Sequence, residues 1–275
     1  MRTFIVCTNF SETSRNALSY ACSFIKSRAS KELIDLLLLH VFTIPANYSG
    51  DGIALVTVNN SLTYAEEDLN EELEWVGTEY AGINVTGKVT TGRLLDGLKE
   101  QIEETRASLV IIGTGGNYGE LWAWDSKIIN TLYNLPVPVL TVPPNVFFTA
   151  IENISFACNL KNIDSNTPFN ALINFVTLTE AKLQVVYVTE QEIKPGSIEK
   201  QNELLVQSKL RALQANFHTL YENQVVGAIG RFVEEKQVQL LVVIPKRHGV
   251  WESLFRKSHT KELSRINRLP VMALH

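Results

Sequence analysis

The sequence predicts an α/β protein made of two tandem doubly wound domains, each a five-stranded parallel sheet flanked by helices. Three observations predict it. Short strand-length runs are apolar on both faces, as in L-L-L-L (36–39), L-V-I-I (109–112) and L-L-V-V-I (240–244), which suits a parallel sheet covered by helices on both sides. Segments with 3/4 apolar spacing alternate with those runs. The whole order then occurs a second time.

The first half opens with the strand T-F-I-V-C-T-N-F-S (3–11), and the second with N-I-S-F-A-C-N-L-K (153–161). Both apolar runs end in asparagine, at Asn9 and Asn159, an offset of 150. A helix follows over Ser11–Lys26, with Leu18, Ala21, Cys22 and Ile25 at helical spacing and Ser11 with Ser14 as N-cap chemistry. The second strand, L-L-L-L-H-V-F (36–42), matches L-Q-V-V-Y-V-T (183–189). Next come an insertion around T-I-P-A-N-Y-S-G-D-G (43–52), a Glu-rich helix over Leu62–Ala81 with Leu69, Leu73 and Val76 on one face, and a helix over Leu94–Glu104. In the second half the helices fall at Ala171–Leu178, Ile198–Phe217 and Val226–Lys236. The run S-L-V-I-I-G (108–113) matches Q-L-L-V-V-I-P (239–245), and N-L-P-V-P-V-L-T-V (134–142) matches I-N-R-L-P-V-M-A-L (266–274), both near an offset of 132. Pro143 and Pro144 stop the last strand of the first copy, since neither can donate to a ladder. The expected domains are therefore 1–146 and 147–275.

Composition narrows the function. With 45% hydrophobic and 20% charged residues, the 275-residue chain is of ordinary globular composition. Residues 1–146 hold 10 Lys and Arg against 17 Asp and Glu, and the remainder 15 against 12. Neither half has the strongly basic face of a nucleic-acid protein. The longest apolar run falls far short of the roughly 20 residues that span a bilayer, and the N-terminal stretch lacks the apolar region of a secretory signal. Three scattered cysteines (Cys7, Cys22, Cys158) read as small buried hydrophobes in a reducing cytoplasm.

A ligand of such a sheet sits at the carboxyl ends of the strands, near the switch in strand order. Three segments of the first half reach that edge: C-T-N-F-S (7–11), H-V-F (40–42) and the loop after the fourth strand. That loop carries Gly113, Gly115, Gly116 and Gly119 and leads to a helix near Ser126. Glycines turn backbone N–H groups toward an anion, and a helix N-terminus adds a positive dipole end. Ser126 offers a hydroxyl and Lys127 a cation. The loop is neither a Walker A sequence nor a G-x-G-x-x-G fingerprint.

These segments carry a resemblance. The turn T-N-F-S-E-T-S-R-N-A-L (8–18), the ending L-L-L-H-V (37–41), the loop G-T-G-G (113–116) and L-P-V-P-V-L-T-V (135–142) resemble the universal stress protein family, in a tandem two-domain form. The resemblance implies an adenine nucleotide alpha hydrolase-like, flavodoxin/Rossmann-like fold and a cytoplasmic stress-response role without significant turnover. It also implies pairing of the two halves through their last strands, 140–142 against 272–274, and ATP or AMP (with Mg) as ligand. Nucleotide-binding members carry G-x-x-G, nine residues, then Gly and Ser/Thr. Gly113 and Gly116 keep the first part; the last pair is Ser126 and Lys127. The family's aspartate after the first strand is Asn9 here, and Val41 keeps the position whose backbone meets adenine. The site implied is Thr8, Asn9, Val41, Gly113, Gly115, Gly116, Ser126 and Lys127.

The second copy has lost more. Pro245 and His248 stand where its glycines would be, and Ser258 and His259 replace the final pair. Lys246, Arg247, His248, Arg256 and Lys257 form a basic cluster around it, an anion or docking patch. The alternative function is therefore an interaction or regulatory protein that binds no nucleotide and uses the degenerate loops as docking surfaces; either reading allows a homodimer. His40 reads as a space-filling histidine matched by Tyr187, and Trp122, Trp124 and Trp251 as loop cover. The run E-E-D-L-N-E-E-L-E (66–74) reads as a solvated helix face. No metal spacing and no nucleophile–base–acid set is visible.

Overall fold

The computed structural model describes residues 2–42, 52–114, 134–245 and 268–275, with the side chains of 52–59 left aside. The chain divides into two compact units, Met1–Phe148 and Thr149–His275.

The first unit runs β1 (Arg2–Cys7), α1 (Glu12–Arg28), β2 (Ile34–Phe42), α2 (Gly52–Glu79), β3 (Val85–Thr91), α3 (Leu94–Thr105), β4 (Leu109–Gly113) and β5 (Val139–Val142). Its strands are all parallel in the order β3-β2-β1-β4-β5. Cys7 pairs with Leu39 on one side and Ile112 on the other. The chain therefore leaves β1 toward β2, and later returns to the far side of β1 as β4. That reversal is the switch point.

Both faces of this sheet are covered. Ile5, Cys7, Leu37, Leu39, Val110 and Ile112 pack with Leu98 and Ile102 of α3. On the other face α1 buries Ala17, Leu18, Ala21, Cys22 and Ile25, and Phe24 meets Phe4 with ring centroids 6.0 Å apart. α2 presses on β3 so closely that a Cβ at Gly87 would lie 2.8 Å from Leu73. A seam joins the two helices on this face. Arg15 lies 4.6 Å over the Trp75 ring, and Ser19 Oγ is 2.6 Å from the Tyr80 hydroxyl.

The second unit runs β6 (Asn153–Ala157), a 3-10 turn (Leu160–Asn162), α4 (Phe169–Thr179), β7 (Lys182–Thr189), α5 (Ile198–Leu210), a second 3-10 turn (Arg211–Leu213), β8 (Asn216–Tyr221), α6 (Val225–Glu235), β9 (Leu240–Val243) and β10 (Val271–Ala273). Its parallel strands lie in the order β8-β7-β6-β9-β10. The same bonds recur in both units: Thr8 N–H donates to Leu39 O at 2.9 Å, as does Cys158 N–H to Val186 O. Val110 and Leu241 likewise bond the carbonyls of Pro138 and Pro270.

Four local expectations change. α2 begins at Gly52, ten residues before the expected start, so part of the polar insertion is helix. The segment expected to be helical over 198–217 stops at Leu210, and Phe217 lies in β8. β3 and β8 are polar, partly exposed strands, without the double-sided apolarity that marks the inner strands. Within the acidic run 66–74, Glu72 is only 5% exposed. It follows Ala65 and Leu69 and precedes Val76 on the buried stripe of α2.

Candidate functional site

The carboxyl edge of the first sheet gathers Thr8, Asn9, Val41 and Gly113. They come together because Cys7, Leu39 and Ile112 are in register and each strand runs one or two residues further. Gly115, Gly116, Ser126 and Lys127 of the same expected site lie outside the described residues. So do Lys246, Arg247, His248, Arg256 and Lys257 of the basic patch, and the loop tryptophans.

The turn after β1 is tied by side chains. Thr8 is buried, and its hydroxyl accepts from Phe10 N–H at 3.0 Å and donates to Ser14 Oγ at 3.2 Å. Asn9 Oδ1 accepts from Ser11 Oγ at 2.7 Å and from Ser11 N–H at 3.3 Å. Ser11 Oγ in turn accepts from Ser14 N–H at 3.2 Å and caps α1. One carbonyl thus orients the N-cap of the first helix. Its amide NH2 makes no hydrogen bond among the described residues. Phe10 takes φ of 64°, a left-handed value unusual for an aromatic residue. Its ring stacks on His40 with centroids 4.6 Å apart.

His40 is satisfied within the fold. Its Nδ1 lies 2.9 Å from Thr8 O. A carbonyl can only accept, so Nδ1 carries the proton and Nε2 is left as acceptor. Burial lowers its pKa, against the opposing pull of the Thr8 bond and Asp68. Among the described residues no group of His, Cys, Asp and Glu could hold a metal ion.

Val41 is buried against α3, where Gly97 lets the helix approach: a Cβ there would lie 3.1 Å from Val41 Cγ2. Gly113 also has a packing reason. A Cβ at Gly113 would lie 2.5 Å from the backbone oxygen of Thr13, so the end of β4 meets the first turn of α1 with no room for a side chain. The next N–H, that of Thr114, is spent on Val142 O at 2.9 Å. Gly113 therefore seats the strand end, and any anion cradle begins beyond it.

Glu72 is the residue that sequence reasoning missed. Its Oε2 is buried with no hydrogen-bond partner among the described residues. Burial raises its pKa, only partly opposed by the nearby Thr8 hydroxyl and by the charge of Arg15, while Asp68 adds to the rise. The spacing 65-69-72-76 would have placed it on the apolar stripe, had it been counted there rather than with its acidic neighbours.

A parallel sheet in the order 3-2-1-4-5, with its polar turn after β1 and a glycine closing β4, agrees with a match of residues 1–143 to the model of the universal stress protein family. The chain belongs to the universal stress protein family. A universal stress protein from Archaeoglobus fulgidus is 18% identical, superposes with a TM-score of 0.67, and the match covers 99% of this chain and 97% of that one. A candidate universal stress protein from Pseudomonas aeruginosa is 14% identical with a TM-score of 0.54, over 100% of this chain and 93% of that one. At these identities the likeness is one of fold. No curated protein sequence matches the chain.

Proposed function

We propose that this universal stress protein binds an adenine nucleotide, ATP or AMP, at the carboxyl edge of its first unit and does not turn it over. The observation that carries the reading is the convergence of Thr8, Asn9, Val41 and Gly113 at the switch point, where open α/β sheets bind ligands. The amide NH2 of Asn9 can donate to a ribose hydroxyl. Val41 keeps the position whose backbone meets the base in nucleotide-binding members, and Gly115, Gly116, Ser126 and Lys127 would complete the phosphate side. Pairing through the last strands and a cytoplasmic location belong to the same reading.

Thermal or chemical denaturation with added AMP and ATP tests it. Nucleotide at about 100 times its Kd stabilises the native state by about 2.7 kcal/mol. Millimolar nucleotide that leaves the transition unmoved sinks the reading. Asn9→Ala should weaken binding, whereas Asn159→Ala in the second unit should not.

One observation favours the second reading, a protein that recruits a partner instead. Asn9 Oδ1 is engaged by Ser11, so half of the amide already serves the helix cap. In that case charge reversal at Arg247 and Lys257 removes the partner, and nucleotide has no effect.

A further inference from the structure

The carboxyl edge of the second sheet holds a cavity of about 520 Å3, within the size range of small-molecule sites. It opens over the ends of β6, β7 and β8. Ala157, Val186, Val188, Val225 and Ile229 give it an apolar floor. Tyr187, almost wholly buried, adds an aromatic wall.

Charge is distributed unevenly around this floor. Of the six charged side chains among the described residues that line the cavity, four are carboxylates: Glu190, Glu192, Glu199 and Glu222. The two lysines, Lys161 and Lys194, are exposed, as are Glu190 and Glu192. The charged groups held half-buried are both acidic, Glu199 and Glu222. Glu222 is paired with Arg231. Glu199 makes no ion pair with any described residue, and its charge reaches the Tyr187 hydroxyl. A site that is apolar below, aromatic on one side and acidic within is complementary to a cation.

We propose that this cavity binds a small organic cation, an amine whose ammonium meets Glu199 beside Tyr187 and whose apolar body lies on Val188 and Val225. The site is separate from the nucleotide edge of the first unit, and neither proposal depends on the other. The carboxylate sets preference for charge, and the floor accepts the uncharged body less tightly.

Titration calorimetry on the whole chain tests this with phenethylamine and its uncharged analogue phenylethyl alcohol. The amine should bind about tenfold tighter, a difference of roughly 1.4 kcal/mol. Glu199→Gln should erase that preference while leaving AMP binding unchanged. Val188→Trp, at a half-exposed position over the floor, should weaken both probes. Saturating AMP should leave the amine's affinity unaltered. Equal affinity for the two probes overturns the proposal, as do no binding of the amine at millimolar concentration, an undiminished preference in Glu199→Gln, and competition by AMP.

Discussion

The two units carry one strand plan and finish its working edge differently. In the first, Asn9 is followed at once by a helix: Asn9 orients Ser11, Ser11 caps α1, and Gly113 fits against Thr13. In the second, Asn159 makes the matching bond, accepting from Lys161 N–H at 3.1 Å, but that bond caps only a 3-10 turn. Helix α4 waits until Phe169, after Pro168. The triplet N-A-L marks the delay: it occurs at 16–18 and again at 170–172, an offset of 154 against 150 for the asparagines. Four added residues separate strand from helix. Where the first unit packs Thr8, His40 and Phe10 together, the second places Cys158 and Tyr187 on the wall of a cavity. The same strand end can lead straight into a capped helix or into a 3-10 turn that defers the helix.

The strongest way to break this contrast is Gly113→Ala. With a Cβ meeting a backbone oxygen that cannot rotate away, the first unit should lose about 3 kcal/mol in denaturant titrations. Pro245→Ala, at the matching place in the second unit, should stay within about 0.5 kcal/mol. Next in size is Glu72→Leu, which removes a buried carboxylate and should stabilise the first unit by about 1–2 kcal/mol at neutral pH. Its sign can be followed by pH. A carboxyl whose pKa is raised on folding binds more protons in the native state, so stability falls as pH rises from about 4.5 toward the raised value. Glu72→Leu and Glu72→Gln should both flatten that fall. His40 acts in the other sense: its lowered pKa costs stability as pH drops below 6.5, and that loss should survive in the Glu72 variants.

Ser11→Ala sharpens the comparison at the next level. Removing the cap of a 17-residue helix should cost about 1 kcal/mol, whereas Asn159→Ala, which caps a 3-10 turn, should cost less than about 0.5. The smallest effect belongs to the surface. Lys88→Gln breaks a pair with Glu104 at 2.7 Å between exposed groups and should leave the denaturation midpoint essentially unmoved.

What was legible in the sequence follows from what periodicity records. The inner strands are apolar on both faces, so β1, β2, β4, β6, β7 and β9 stand out as continuous runs. β3 reads V-T-G-K-V-T-T and β8 reads N-F-H-T-L-Y; each lies at a sheet edge with a wet face, and neither looks like the rest. Thr8, Asn9, Val41 and Gly113 could be placed on one edge because strand ends share a register. The packing reason for Gly113 could not, because Thr13 is a hundred residues away in the chain. Glu72 was hidden among exposed acids, although its position on the stripe was countable. The cavity of the second unit had no motif at all, since it arises from where a helix does not begin.

The three cysteines give each unit its own clock. Cys7, Cys22 and Cys158 are free and buried, and burial pushes each thiol up to about 12. Thiolate is the reacting species, so alkylation near neutral pH waits for the surrounding core to open. Opening of the first unit exposes two sulfurs and opening of the second exposes one. The mass gained in a short labelling pulse therefore tells which half of the chain has come apart, with no probe added to the protein.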